Sequence, residues 1–341
     1  MLLFDPTLLL TALTPALIVG FALLLDFSLG EPKRWHPLIG FGNLTQLLER
    51  KLNATAVPQK CGYFTGILAW ALLILPITYV TYIVSTAPWW LSPWLSQDIE
   101  LFPTLIQLKL VMDCLLLYLC IGWKSLIEHV NAIRSALANS DITLARQRTQ
   151  YIVSRNTNTL SEQQLSRSGI ESLLENGNDA IFGCIFWFLV AGAPGAVLYR
   201  LANTLDAMWG YRTYRYRTFG WASAKLDDAL NWIPARICAL SYAILGNTSR
   251  AIACWKSQAS AQSSPNGGPV MCSGAGSLQI ILGGPTVYHG NHVDKPFFGE
   301  GHHPTHHDIG KAISLVNKTV YLWLGCIAST GVLIVLIAGL F

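Results

Sequence analysis

Apolar runs of about 20 residues recur along the chain and set its overall pattern. A helix of that length is what is needed to cross the hydrocarbon core of a bilayer. Four of the runs predict membrane spans, near residues 8–27, 62–84, 101–122 and 319–341. The pattern therefore predicts an all-α, polytopic integral membrane protein with about four transmembrane helices.

Two further apolar segments carry features that argue against simple crossings. Residues 180–199 contain "AGAPG" near their middle, and residues 230–253 are interrupted by a proline, two arginines and an asparagine. Interrupted backbone at membrane depth is tolerated where it lines a cavity or is buried in protein. We therefore expect re-entrant or interfacial segments at these two places, within a single domain that spans residues 1–341.

Charge is scarce, and its distribution orients the predicted spans. Only 12% of the residues are charged and 52% are hydrophobic, whereas a soluble domain is about one quarter charged. The connection 30–61 is basic and the connection 85–100 is acidic, so the positive-inside rule places the first on the cytoplasmic side. We expect residues 124–179, 200–229 and 254–318 on that side of a bacterial inner membrane.

A polar stripe leads directly into the first interrupted segment. Ser161 and Gln164 predict a capping box at a helix start, and four ionisable residues follow at four-residue steps on one helix face: Arg167, Glu171, Glu175 and Asp179. A solvated face with i,i+4 pairs, each worth a few tenths of a kcal/mol, is one interpretation. Ionisable groups at membrane depth are costly and usually functional, so we favour a functional role here.

Charge also collects in "YRTYRYRTFGWASAKLDDALNW", residues 211–232. A belt of Arg and Tyr at the headgroup boundary explains part of it, but not Lys225 beside Asp227 and Asp228. Oxygen ligands hold Mg²⁺ and cations hold phosphate oxygens, so this combination is typical of Mg²⁺-nucleotide chemistry. We expect this segment and the stripe at 171–179 to meet in one cytoplasm-facing pocket.

Two other segments are less informative. The glycine-rich stretch "SSPNGGPVMCSGAGSLQIILGGP" (263–285) matches no nucleotide-binding fingerprint, and turn chemistry accounts for its Pro-Asn-Gly-Gly. Six of the eight histidines fall within residues 289–307, a density that can bind a transition metal. A His-rich loop also binds metals without physiological use, so a dedicated metal site is the less favoured hypothesis.

Seven sequence blocks, in order, resemble the CobD/CbiB family of cobalamin-biosynthesis membrane proteins. The resemblance runs from about Leu24 to Val316, and the block at 203–236 is the most specific. The blocks are "LLLDFSLGEPKRWHPLIGFGNL" (23–44), "SRNTNTL" (154–160), "ESLLENGNDAI" (171–181), "NTLDAMWGYRTYRYRTFGWASAKLDDALNWIPAR" (203–236), "SSPNGGPVMCSGAG" (263–276), "LGGPTVYHG" (282–290) and "VDKPFFG" (293–299).

The resemblance implies an acid–amine ligase, adenosylcobinamide-phosphate synthase. Such an enzyme joins (R)-1-amino-2-propanol or its O-phosphate to the free propionate of adenosylcobyric acid, and it consumes ATP and requires Mg²⁺. The implied partners are these corrinoid and amine substrates, the lipid bilayer and later enzymes of cobamide assembly, with no nucleic acid.

The family motifs also imply site residues in this chain. The expected catalytic residues are Glu171, Glu175, Asp179, Asp206, Lys225, Asp227 and Asp228, with Glu171 or Glu175 as the base. The expected Mg²⁺ ligands are Asp179, Asp227 and Asp228. The expected substrate- or phosphate-binding residues are Asp26, Glu31, His36, Arg155, Arg212, Arg215, Arg217, Ser263, Ser264 and Asn266.

The chain departs from the family pattern at two places, and two other function classes stay open. Asn156 stands where the family has an aspartate, and the family's W-P-H-P is shortened to Trp35-His36-Pro37. A non-catalytic membrane regulator like the AmpE-type proteins predicts degraded carboxylates, which this chain retains. A small-molecule transporter would also use broken helices and buried charge, but we find no internal repeat.

Overall fold

The computed structural model describes residues 6–32, 36–53, 59–95, 101–153, 155–211, 213–288 and 291–338. The described backbone is mostly helical, in agreement with the predicted all-α class. The helices are α1 (Pro6–Leu29), α2 (Pro37–Leu52), α3 (Gln59–Leu95), α4 (Leu101–Cys120), α5 (Trp123–Ala138), α6 (Ile142–Gln150), α7 (Glu162–Gly177), α8 (Gly183–Trp209), α9 (Trp221–Leu230), α10 (Trp232–Leu245), α11 (Thr248–Gln258), α12 (Gly267–Leu278) and α13 (His306–Ala338).

Two short helical turns and four strands complete the described structure. A π-helical turn covers Asn178–Phe182, and a 3₁₀ turn covers Ala259–Ala261. Each strand has three residues, and they pair antiparallel as β1 with β4 and β2 with β3. The strands are β1 (Ile281–Gly283), β2 (Thr286–Tyr288), β3 (Asn291–Val293) and β4 (Phe297–Gly299).

Five helical runs in the described part of the chain are long and apolar enough to cross a membrane. Two of them contain the predicted spans 8–27 and 62–84, and two others overlap the predicted spans 101–122 and 319–341 in part. The fifth is Glu162–Trp209, which includes the segment predicted to be re-entrant. The predicted interruption is present, because Ala191 and Gly192 depart from helical geometry inside α8. The re-entrant path, the number of crossings and their orientation stay predictions.

Packing divides the chain into two compact units. The first unit comprises Met1–Gly122, Gly183–Leu230 and Ile327–Phe341, and the second comprises Trp123–Phe182 and Asn231–Cys326. The prediction of one domain is not tested by this division.

The first unit is built on long apolar helices. Helix α4 packs against α1, α3 and α8, and α9 packs against α3 and α8. Small residues allow the closest contacts: a Cβ added to Gly66 would lie 2.0 Å from the carbonyl oxygen of Phe219. Helix α2 begins with His36 at the N-cap and Pro37 at the first position, which suits the fixed φ of proline.

The second unit is a set of shorter helices whose ends are capped by side chains. The capping box predicted at Ser161 and Gln164 is present at the start of α7. Asp141 caps α6 and Asn247 caps α11, each through a side-chain oxygen that accepts a backbone N–H. Helix α12 lies between α10 and α11, and it also contacts α7. Residues 230–253, predicted as one segment, contain a helix break at Gly246 and Asn247.

The break in α8 generates a testable prediction. Gly192 adopts φ +65° and ψ −159°, a region that residues with a Cβ rarely occupy. The substitution Gly192→Ala should therefore lower the free energy of unfolding by about 1–3 kcal/mol. Gly325→Ala in α13 is the control, since its added Cβ meets nothing within 4 Å and alanine favours helix. Thermal unfolding of the full chain in detergent checks this, and equal midpoints for wild type and Gly192→Ala would contradict it.

Candidate functional site

The predicted catalytic residues are distributed over both units. Glu171, Glu175 and Asp179 belong to the second unit. The others, Asp206, Lys225, Asp227 and Asp228, belong to the first. Their predicted meeting in one pocket stays a prediction, and the surroundings of each set are defined within its own unit.

Asp179 is held by two asparagine side chains. It lies in the π-helical turn after α7, a type of turn that occurs frequently at functional sites. Its Oδ1 accepts N–H bonds from Asn178 Nδ2 at 3.0 Å and from Asn231 Nδ2 at 2.7 Å. Asn178 Nδ2 also donates to Asn231 Oδ1 at 2.8 Å, and both asparagines are buried. The carboxylate is therefore held by a closed network of side-chain amides.

Glu171 is held differently, by a backbone amide and a guanidinium. Its Oε1 accepts the N–H of Gly283 at 2.7 Å, and its Oε2 lies 3.8 Å from Arg155 Nη2. Arg155 also donates to Ser168 Oγ at 2.5 Å and is buried. The predicted substrate-binding residue Arg155 and the predicted catalytic residue Glu171 are therefore neighbours.

Glu175 lies beside the start of α12. A Cβ added to Gly267 would come within 2.8 Å of Glu175 Oε1, so the carboxylate of Glu175 lies directly against this glycine. Ser264 Oγ accepts the N–H groups of Asn266 at 3.3 Å and of Gly267 at 2.9 Å. Ser264, predicted to bind substrate or phosphate, thus caps the helix whose first residue borders Glu175.

Asn266 is buried and also has a partner in the second unit. Its Oδ1 accepts from Arg236 Nη1 at 3.1 Å, and Arg236 stacks 4.2 Å from the ring centroid of Trp232. Burial lowers the pKa of Arg236 from its ordinary value, but arginine stays charged at neutral pH. Ser263 lies next to these residues in the chain, and its predicted role is untested.

In the first unit, Asp227 and Asp228 on α9 have different surroundings. Asp227 is buried, and its Oδ1 accepts from Asn203 Nδ2 on α8 at 3.3 Å. Asp228 is partly exposed and lies 3.8 Å from Lys225 Nζ, one helical turn away. Helix α8 also carries Asp206, whose carboxylate occupies the space that a Cβ on Gly210 would need.

Arg215 and Arg217, predicted together as phosphate-binding residues, have different surroundings. Arg215 forms two hydrogen bonds of 2.9 Å with the buried carboxylate of Glu49, and Asn53 Nδ2 donates to the same carboxylate at 2.9 Å. The bonds to Glu49 raise the pKa of Arg215. Arg217 is exposed, and no carboxylate in the described part of the chain pairs with it. Arg212 lies outside the described residues.

The N-terminal motif residues lie around the end of α1. Asp26 is fully buried, and Gly30, with φ +69°, accepts the hydroxyl of Tyr118 at its carbonyl oxygen, 2.6 Å away. His36 Nδ1 accepts the N–H of Leu38 at 3.1 Å and so caps α2. Burial lowers the pKa of His36 and a nearby arginine, Arg200, acts in the same direction, whereas Glu31 opposes them.

A transition-metal or carboxylate-rich centre is not evident in the described residues. They contain no group of three or more His, Cys, Asp or Glu side chains placed to hold an ion. Mg²⁺ in nucleotide sites needs only one or two carboxylates, because waters and substrate phosphates supply the rest. The adjacent Asp227 and Asp228, one of them partly exposed, fit that donor set.

Two residues beside the predicted carboxylates were not predicted as site residues, Asn178 and Asn231, whereas Arg167 was part of the predicted polar stripe. Asn176, in the block "ESLLENGNDAI" that resembles the family, is exposed and donates to Ser172. Asn178, two residues later, makes the contact with Asp179. Because the π turn changes the direction of side chains along the chain, α-helical spacing alone does not find this contact.

These features define a polytopic helical membrane protein with partly buried carboxylates held by amides and guanidiniums. The chain belongs to the CobD/CbiB family: the family model described as "CobD/Cbib protein" matches residues 19–316. No solved structure matches the chain.

Curated relatives agree with this assignment. The chain is 46% identical to the "Cobalamin biosynthesis protein CobD" of Chromobacterium violaceum, over 94% of this chain and 97% of that protein. It is also 46% identical to the protein of the same name from Stutzerimonas stutzeri, over 90% and 94% of the two chains. The protein of that name from Halalkalibacterium halodurans is 35% identical, over 88% and 91%.

The contrast between Arg215 and Arg217 predicts different effects on stability. Arg215→Ala should lower the free energy of unfolding by about 1–2 kcal/mol, since it leaves Glu49 buried without its cation. This loss of unfolding free energy is small for a buried carboxylate, because half of the Arg215 side chain is exposed and water can take the place of its guanidinium. Arg217→Ala should leave stability unchanged. Thermal unfolding in detergent measures both, and similar losses for the two variants would refute the structural role of Arg215.

Proposed function

We propose that this chain is an adenosylcobinamide-phosphate synthase. It would join (R)-1-amino-2-propanol or its O-phosphate to the free propionate of adenosylcobyric acid, with ATP consumption and Mg²⁺. The printed names of the relatives support a role in cobalamin biosynthesis. The observation that carries the proposal is that the family match, residues 19–316, includes every acidic residue of both sets.

The chemistry explains why charged residues are retained in so apolar a chain. A carboxylate is a poor electrophile at neutral pH, so the propionate has to be activated. We propose that it takes the γ-phosphoryl group of ATP to form an acyl phosphate and ADP, and that the amine then attacks the carbonyl carbon and releases inorganic phosphate. Transfer of a phosphoryl group is accelerated by cations placed at its oxygens. Lys225 and Arg217 in the first unit and Arg155 in the second are proposed for this role. Arg215 already forms two hydrogen bonds with Glu49, so it is a weaker candidate for binding phosphate oxygens.

The magnesium ion is proposed to bind at Asp227 and Asp228, and Asp179 stays a third proposed ligand. When bound, the ion would neutralise charge on the phosphate oxygens. Asn203 would keep the Asp227 side chain in place, as the Asn178–Asn231 pair does for Asp179.

The attacking amine has to lose a proton, which requires a base. Glu171 and Glu175 are the two candidates, and their surroundings differ. Glu171 Oε1 accepts the N–H of Gly283, and Arg155 lies 3.8 Å from Oε2. These contacts position Glu171 beside cations, so we propose Glu175 as the base.

The proposal predicts that the chain restores cobinamide formation in a mutant that cannot convert cobyric acid. Asp227→Asn and Asp228→Asn should each reduce ATP-dependent product formation in membranes by at least 10-fold, because neutral amides bind Mg²⁺ and orient phosphates poorly. Glu128→Gln, at an exposed position on α5, is the matched control and should retain activity. Undiminished activity in both aspartate variants would remove them from the mechanism. Corrinoid uptake without ATP consumption would instead favour a transporter.

The amide network around Asp179 predicts a change in pH dependence. In Asn231→Asp a second carboxylate would lie within hydrogen-bond distance of Asp179, so the two would share a proton. Ionised Asp179 would then be lost at a higher pH, and the acid limb of the kcat profile should move to higher pH than in wild type. Asn231→Ala should lower kcat by roughly 10-fold with little change in KM, because it removes one of the amides that position the Asp179 carboxylate.

Thermal unfolding separates this effect from a general loss of structure. If Asn231→Asp is as stable as wild type and its pH profile is unchanged, Asn231 does not position a reacting group.

A further inference from the structure

Two buried arginines in the second unit lie on either side of one glutamate. Arg155 precedes α7, and Arg167 and Glu171 lie one turn apart on it. Arg155 is 7% exposed and Arg167 is 9% exposed. Two guanidiniums and one carboxylate leave a net charge of about +1 in this Arg155–Glu171–Arg167 cluster.

The two arginines differ in what they contact. Arg155 has Ser168 and Glu171 as partners. The Arg167 guanidinium lies 5.8 Å from the ring centroid of Phe297 on β4. No oxygen or carboxylate among the described residues forms a hydrogen bond or ion pair with it. A guanidinium has five N–H donors, so the largely buried Arg167 has donors that a ligand could use.

The backbone next to Arg167 is shaped to leave it room. Gly283 and Gly284, from "LGGP", have φ of +73° and +86°. A Cβ added to Gly284 would lie 2.8 Å from Arg167 Nη1, and Gly283 pairs with Phe297 in the antiparallel β1–β4 pair. The same Gly283 donates its N–H to Glu171. The β1–β4 pair therefore places two glycines, an aromatic ring and one backbone donor beside these charged side chains.

Burial of an excess positive charge is costly unless an anion accompanies it. We infer that the Arg155–Glu171–Arg167 cluster is the subsite for a phosphoryl group of a substrate, with Arg167 as its principal ligand. A phosphate offers three acceptor oxygens, enough for two guanidiniums, whereas a carboxylate offers two. The inference rests on the proposed function for its two candidate sources, ATP and an amine O-phosphate.

Direct binding to the full chain in lipid nanodiscs tests the subsite without turnover. The probes are ATP, 1-amino-2-propanol O-phosphate, unphosphorylated 1-amino-2-propanol and inorganic phosphate, each titrated calorimetrically. Arg167→Gln should weaken binding of at least one phosphorylated probe by about 10- to 100-fold, the effect of losing a charged hydrogen-bond donor, and leave the unphosphorylated amine unchanged. Arg148→Gln, at an exposed position on α6, is the matched control.

The phosphorylated probe that is weakened identifies the source. A loss for ATP alone places the nucleotide there, and a loss for the amine phosphate alone places the amine there. Wild-type affinity for every phosphorylated probe in a folded Arg167→Gln protein would overturn the inference. If that variant fails to fold, Arg167→Lys keeps the charge and loses the planar fork, and undiminished phosphate binding in it would also overturn the inference.

The outcome is independent of the proposed reaction. A wild-type chain that binds phosphate through Arg167 but makes no cobinamide product would retain the subsite and refute the proposed function. If the wild-type chain makes product but Arg167→Gln binds every probe normally, the proposed function would be retained and the subsite would be refuted.

Discussion

The cost of burying charge in an apolar scaffold is the constraint on which this structure depends. A charged group at membrane depth or in a packed core is tolerated only with partners that replace water. Inside α4, Asp113 pairs with Lys109 and accepts the hydroxyl of Ser85 from α3 at 3.0 Å. The same rule places Arg215 and Asn53 on the buried carboxylate of Glu49. Charge is therefore clustered in this molecule because each buried charge needs a partner close by.

Carboxylates in the second unit satisfy that constraint in two chemically different ways. Asp179 accepts hydrogen bonds from two neutral amides, which position it. Glu171 lies by a guanidinium and a backbone N–H. The amides beside Asp179 bring no positive charge, whereas the two arginines near Glu171 make a region of net positive charge. In the proposed ligase the two environments would serve the metal side and the phosphate side of the reaction.

Local departures from regular helix accompany these polar groups. The π turn at Asn178–Phe182 brings Asn178 and Asp179 to Asn231, and the break at Ala191–Gly192 interrupts the apolar helix that follows. Both departures carry a conformational cost, which packing and hydrogen bonds elsewhere have to offset. Similarly, the positive φ of Gly283 and Gly284 lets a loop backbone approach Arg167 closely. The π turn and the Gly283–Gly284 backbone thus lie where polar side chains are positioned.

The order of apolar and polar residues was enough to predict the helical membrane class, four of the five candidate spans, the α8 interruption and the capping box at Ser161. These features depend on neighbours within a few turns, so local spacing determines them. The resemblance to the family added the acidic residues as predicted catalytic residues, and their roles stay predictions. Only the tertiary structure revealed that Asn231, 52 residues from Asp179, donates a hydrogen bond to that carboxylate. It also revealed that Arg215 forms an ion pair with Glu49. Contacts between residues distant in the chain arise from packing and from the direction of each side chain, which linear spacing does not encode.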